Sequence, residues 1–374
     1  MTDTRRSSGP DAAATPLVDA LTTRKVPLRD RLPIVSQLRR SVGLQRTMLV
    51  IGLVISAVFI LTAIFAPVIA PYGFAQQSAD GVKFGTQQAP NALNLLGTTV
   101  SGFDVLSRVV WGAQTALLVI ICAIVFSIFL GIFLGLVGGY FGGWLDRLLV
   151  VVCDAIYAFP SLLLAIVMSI AITRGQSTLW GGILATAISI TVVFVPQYFR
   201  VIRAEVVRVK AEPFVESARV IGVPTGRILV RHVLRNSTRS LPVVITLNAS
   251  EALLTLAGLG FLGFGIEATA AGEWGYDLNR SVADVTSGIW WTAIPPGVAI
   301  VLVVLGITLV GESLNDLSDP RLRTRRRAGG APVPAGATAA VPVAGVAASA
   351  DDAVAPVTET GRPTDPRASD GSTS

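Results

Sequence analysis

Five stretches of this chain carry no charged residue at all: 47–79, 109–145, 155–173, 175–199 and 285–311. A sixth, 240–266, is interrupted only by Glu251. A bilayer core is about 30 Å thick and is crossed by roughly 20 helical residues at 1.5 Å each, so each window has room for one span. Six transmembrane helices are predicted, near 47–70, 112–137, 148–172, 178–199, 241–263 and 293–312. With 52% of its 374 residues hydrophobic and 14% charged, the chain reads as an all-α polytopic membrane protein.

The orientation follows from Lys and Arg, which are retained on the cytoplasmic side. The N-terminal tail, the 138–147 turn, the 200–239 loop and the C-terminal tail together hold 26 of the 30 basic residues. The alternate loops hold only Lys83, Arg108, Arg174 and Arg280. This predicts both termini in the cytoplasm, with 200–239 on the same side. The first 46 residues are polar and basic and show no short apolar core with a cleavage site, so the first span is expected to stay as an anchor.

Topology therefore accounts for the net charge of +6, and no nucleic-acid partner is called for. Cys122 and Cys153 fall within spans and the chain has one histidine, so neither a disulfide framework nor a metal site is expected. Residues 1–46 form a basic tail and 321–374 a tail of low complexity; neither has the apolar surface to offset chain entropy, and both are predicted to be disordered. Between them lie the first span with its external loop (47–111) and a five-helix core (112–320).

The 200–239 loop carries nine basic residues and three acids, Glu205, Glu212 and Glu216. Phe214, Ala218 and Ile221 recur at helical spacing, Gly222 and Pro224 break the helix, and Thr225 is placed to cap a second one. In that second helix Ile228, Leu229, His232 and Val233 make an apolar stripe opposite Arg227, Arg231 and Arg235. Small Ser217 and Ala218 beside Glu216 argue for close approach to another surface. A basic loop resting on anionic membrane lipid is the plainer alternative.

Glu216-Ser217-Ala218, then Gly222, then "RILVRHVLRN" resembles the EAA loop of permease subunits in ATP-binding-cassette importers, in particular the dipeptide, oligopeptide and nickel branch. "LLGT" with "GFDVLSR", "GGYFGGWLDRLLVVVCDAIYAFPSLLLA", "GLGFLGFG" with "EWG", and "GESLNDLSDPRLR" resemble further motifs of that family in the same order. The resemblance implies a type I importer permease fold. It also implies a second homologous permease as heterodimer partner, two cytoplasmic ATPases and an extracytoplasmic substrate-binding protein, all at a bacterial cell membrane. In the family the EAA loop supplies the coupling helix that docks on the ATPase, which here puts Glu216, Ser217, Ala218, Arg219, Gly222, Arg227, Arg231 and His232 in that role. Arg200 and Arg203 resemble family arginines that support docking.

The chain is not expected to be an enzyme. A P-loop needs Gly-Lys followed by Ser or Thr, and Lys25, Lys83 and Lys210 all lack that setting, so ATP and Mg²⁺ are assigned to partner subunits and no cofactor to this chain. Glu251 is the one acid deep in a span. At a helix centre it costs roughly 2.5–3.5 kcal/mol, so it is expected to face protein or a wet pathway, with Asn248 or Ser250 as local partners. Relatives often carry an acid five positions later, at Leu256 here, so the family role is not transferred. Asp154 and Phe159-Pro160 do match; Pro160 is expected to kink the third span and Asp154 to be a buried structural group. Thr99 and Phe103 stand where the family has Asp and Arg. A stand-alone secondary transporter would show more intramembrane charges and an internal repeat. The peptide reading keeps nickel and glutathione as alternatives within the family.

Overall fold

A computed structural model describes residues 44–173 and 179–318. The tail predictions, except for the last three residues of the first, and Arg174 lie outside the described residues. The apolar windows form long helices: α1 (Leu44–Ile64), α2 (Val105–Phe141), α3 (Gly143–Tyr157), α4 (Ser161–Thr173), α5 (Leu179–Lys210), α6 (Pro213–Val220), α7 (Leu241–Phe261), α8 (Trp274–Thr286) and α9 (Ile294–Ser318). Among the described residues α1, α2, α5, α7 and α9 are each long and apolar enough to cross a bilayer. The only strands described, β1 (Ser78–Ala79) and β2 (Val82–Lys83), form a hairpin whose tip, Asp80-Gly81, has positive φ at both residues, as a type I′ turn requires.

The predicted third span is not one helix. α3 and α4 meet at a 96° bend and satisfy the length and apolarity test only as a pair. Pro160 has no N–H to continue the ladder and disfavours helical geometry at Phe159, so a break replaces the expected kink. Two other helices overrun their predicted ends. α2 has 37 residues and α5 has 32, so each exceeds the ~20 a bilayer needs. The first eleven residues of the predicted 200–239 loop are thus the end of α5.

α5 is the buried centre of the bundle, while α1 and α9 lie at its edge. α2 packs along α5, and α9 packs against both α1 and α7. The α2/α5 seam is made by glycine: Gly131, Gly135 and Gly139 of α2 face Tyr198, Ile202 and Val206 of α5 at matching four-residue intervals. Loops that the Lys/Arg count assigns to one side also meet one another. Arg203 of α5 reaches Asp146, and Arg108 reaches Asp277 and the Phe74 carbonyl.

Candidate functional site

The 212–237 segment folds as helix, break, helix. In α6, Gly222 adopts φ +78°, its N–H donates to the Arg219 carbonyl (2.9 Å) and the Val223 N–H donates to the Ala218 carbonyl (3.1 Å). This is a Schellman ending, and glycine is the residue that takes its left-handed position without cost. Thr225 is not the cap. Pro224 occupies that position in extended geometry and its carbonyl takes the first helical bonds, from Arg227 (2.9 Å) and Ile228 (3.2 Å).

The second arm runs Thr225–Arg227, then π-helical through Ile228–Leu234, then Arg235–Ser237. It continues past Arg235 to Ser237. Ile228 and Val233 are buried, Leu229 and His232 half-buried, and Arg227, Arg231 and Arg235 exposed. The His232 ring lies 6.4 Å from Phe214, joining the two arms.

Glu216 and Ser217 are exposed, and the Ser217 hydroxyl donates to the Pro213 carbonyl at 2.9 Å. Ala218 corrects the expectation that small residues here meet a partner directly: it is buried inside its own chain with Val215. At its tip the loop presents apolar groups outward among these charges, with Val220 83% and Ile221 80% exposed and Phe214 44%.

The loop is braced from behind. Lys210 Nζ donates to the last carbonyls of α2, at Gly139 (3.1 Å) and Tyr140 (3.0 Å), where a cation also meets the negative helix end. Arg219 lies over the Tyr140 ring, 5.6 Å from its centroid, and donates to the Tyr140 hydroxyl at 3.4 Å. Arg203 grips both oxygens of Asp146 at 2.5 and 2.6 Å. Arg200 pairs with Asp154 at 2.7 Å and stacks 4.4 Å over Tyr157. Both arginines therefore tie α5 to α3, Arg203 in its first turn and Arg200 just before its bend. Asp154 is not buried: its side chain is 55% exposed, and Arg200 is its partner.

Glu251 sits at the midpoint of α7 and lines a cavity of about 210 Å³ with Tyr157, Phe159, Phe194 and Gln197 among its walls. The local partners expected for it are engaged elsewhere or point away. Ser250 Oγ accepts from the Thr308 hydroxyl (3.1 Å), because a one-residue step turns it about 100° toward α9. Asn248 is buried and faces the neighbouring Tyr198 hydroxyl.

At the other end of the bundle lies a cluster that is not among the predicted site residues. Arg108, 1% exposed, donates Nε–H to both Asp277 oxygens (2.7 and 2.8 Å) and Nη1 to the carbonyls of Phe74 (3.0 Å) and Ala268 (3.1 Å). Phe103, in place of the family arginine, lies under its guanidinium at 5.3 Å; the Thr99 hydroxyl closes a local turn by accepting from the Phe103 N–H at 3.1 Å. Glu273 caps α8, accepting from Gly275 N–H (2.8 Å) and Tyr276 N–H (2.6 Å). The sequence signal was that Arg108 and Glu273 fall within the "GFDVLSR" and "EWG" motifs; nothing in the sequence pairs Arg108 with Asp277.

Burial pushes the Glu273 carboxyl up to about 8, and it also raises Asp277 despite the facing Arg108. Between the ordinary 4.5 and about 8, the folded chain holds a proton on Glu273 that the unfolded chain has lost. Stability should therefore fall as pH rises through that window and level off above it. Thermal unfolding in detergent at stepped pH should show this decline, and Glu273→Gln should flatten it. An unchanged slope in that variant would place the titration elsewhere.

A two-armed loop with an apolar tip is thus braced against a bundle of membrane-length helices. Residues 127–324 match the family described as binding-protein-dependent transport system inner membrane component, and residues 44–90 match the N-terminal TM domain of oligopeptide transport permease C. Similar proteins include the dipeptide transport system permease protein DppC of Alkalihalophilus pseudofirmus, 36% identical over 74% of this chain and 86% of that one. The glutathione transport system permease protein GsiD of Shigella flexneri is 37% identical over 71% and 83%. The di/tripeptide transport system permease protein DppC of Pseudomonas aeruginosa is 36% identical over 73% and 88%. The chain belongs to the family of binding-protein-dependent transport system inner membrane components, and is a multi-pass membrane protein.

Proposed function

We propose that this chain is one of two homologous permease subunits of an ATP-binding-cassette importer that carries di- or oligopeptides into a bacterial cytoplasm. Six spans, the bent α3–α4 pair being the third, leave both termini inside. Two ATPase subunits bind ATP and Mg²⁺ and dock on α6, and an external binding protein delivers the substrate. The observation that carries the reading is the exposed Phe214, Val220 and Ile221 tip beside Glu216, on a loop anchored to α2 through Lys210 at the end of α5 and Arg219 of α6. Driving a two-state equilibrium from 1:99 to 99:1 takes about 5.5 kcal/mol, which calls for a joint held this firmly. Arg200 and Arg203 support docking indirectly, by fixing α5 to α3. The peptide cargo is supported by the two DppC relatives; glutathione, itself a peptide, is the second reading and is favoured by GsiD.

The test is the complex reconstituted in proteoliposomes with its ATPases and binding protein, supplied with labelled peptides of graded length, glutathione and nickel in turn. ATP-dependent uptake of peptides is expected, and uptake of nickel alone would overturn the peptide reading. In the same assay Gly222→Val and Glu216→Ala should each lower uptake and transport-coupled ATP hydrolysis at least about tenfold, equivalent to ~1.4 kcal/mol lost at the joint. Wild-type rates in both variants would remove the docking role.

A further inference from the structure

Glu251 is a carboxylate ten residues from either end of a membrane-length helix, so about 15 Å of apolar helix lies on each side of it. Among the described residues, its carboxylate has neither an ion-pair nor a hydrogen-bond partner. Facing lipid, such a group would be costly, and in membrane spans ionisable residues turn to protein or a wet cavity. Here the cavity is present. Its walls come from the α3 end and the bend (Tyr157, Phe159), the start of α4, the middle of α5 (Phe194, Gln197) and Glu251 of α7.

At about 210 Å³ the cavity far exceeds the roughly 10–15 Å³ that one water needs. Leu247, Leu254 and Phe261, which share an open face of α7 with Glu251, are 46%, 51% and 44% exposed, so this face is free to line a passage rather than the chain's own core.

The charge balance points to a cation. None of the cavity's walls carries a positive group. The nearest arginine in sequence to Gln197, Arg200, is already held by Asp154 and Tyr157, and Arg203 is held by Asp146. One carboxylate, one amide and aromatic rings suit an organic ammonium: the carboxylate and the amide oxygen accept its N–H donors and the ring faces attract its charge. They suit a metal ion poorly, since among the described residues no three His, Cys, Asp or Glu side chains gather in one place.

Resting on the peptide-import reading above, we infer that this cavity is a way-station for the protonated amino terminus of the peptide in transit. The Glu251 carboxylate is the counter-ion, the Gln197 side-chain oxygen a second acceptor, and the Tyr157, Phe159 and Phe194 rings flank the group on one side of an open pocket. The cavity touches the α3–α4 bend that Arg200 ties to α5, so a movement of α5 passed on from the docking loop would reshape it.

The experiment uses the intact wild-type complex without its binding protein. A hydrophobic carbodiimide modifies accessible membrane carboxyls, and the extent of modification at Glu251 is read by mass spectrometry with dialanine or N-acetyl-dialanine present. Dialanine should slow the modification several-fold and its acetylated form should not. Equal protection by both, protection by neither, or a Glu251 that is never modified would overturn the ammonium site. In the complete importer, dialanine uptake should fall about tenfold in Glu251→Gln and stay within about threefold of wild type in Glu251→Asp, which keeps the charge; wild-type uptake in Glu251→Gln would also overturn it. A wild-type complex that takes up no peptide would instead refute the peptide-import reading, whereas peptide uptake with an unprotected Glu251 refutes only this site.

Discussion

Replacing Arg108 with Met should cost the folded chain about 3–5 kcal/mol, the range seen when one partner of a buried ion pair is removed. The guanidinium is 1% exposed, and its loss strands Asp277, only 11% exposed, together with the Phe74 and Ala268 carbonyls. These acceptors come from three separate places in the chain, so the arginine is what holds the 71–104 segment, the start of α2, the stretch before α8 and α8 itself together. Thermal unfolding in detergent should show the loss directly. Arg108→Met with Asp277→Asn should recover part of it, because the double variant no longer buries an unpaired carboxylate. If the double variant is as unstable as the sum of the two singles, the pair is not coupled. Arg200→Met is the contrast: its pair with Asp154 is 46% and 55% exposed, and an exposed pair is worth ~1 kcal/mol or less.

That contrast also shows what sequence could and could not reveal. The spans were legible because a charge-free window of this length has few alternatives to a membrane helix, and the loop's turn was legible because Gly222 and Pro224 carry strong backbone preferences. The partner of a charge was not. Arg108 and Asp277 are 169 residues apart, and Arg203 and Asp146 are 57 apart. Nothing local pairs them; only the packing of α2 against α8 and of α5 against α3 does. Asp154 illustrates the cost: read as a buried group on its span, it lies instead at the surface beside the bend that Pro160 creates. Ala218 was read in the right place and the wrong direction, because a residue three positions from an exposed tip can still face inward on a helix.

A single β-branched side chain in the α2/α5 seam should be as damaging as the lost arginine. A Cβ built on Gly135 would stand 2.9 Å from Ile202 Cβ and 3.0 Å from the Phe199 carbonyl oxygen; on Gly139 it would stand 2.9 Å from Val206 Cγ1 and 3.1 Å from the Arg203 carbonyl. Those neighbours are largely backbone and stiff side chains, which cannot swing away, so the two helices would have to separate. Gly135→Ile is expected to lose ~3 kcal/mol or more, the upper range for overpacking in a close-packed interior, visible as a lower unfolding midpoint and reduced yield of folded protein. Gly135→Ala should lose less, since alanine gains up to ~1 kcal/mol of helix propensity against a smaller clash. Gly226→Ala, where a Cβ meets nothing within 4 Å, should be close to neutral. A Gly135→Ile chain as stable as the Gly226→Ala chain would mean that the seam opens without cost. The seam would then be a poor transmitter, since α5 ends three residues before α6 begins, and on the proposed docking role any push on the 212–237 loop would enter the bundle along the helix that these glycines hold in place.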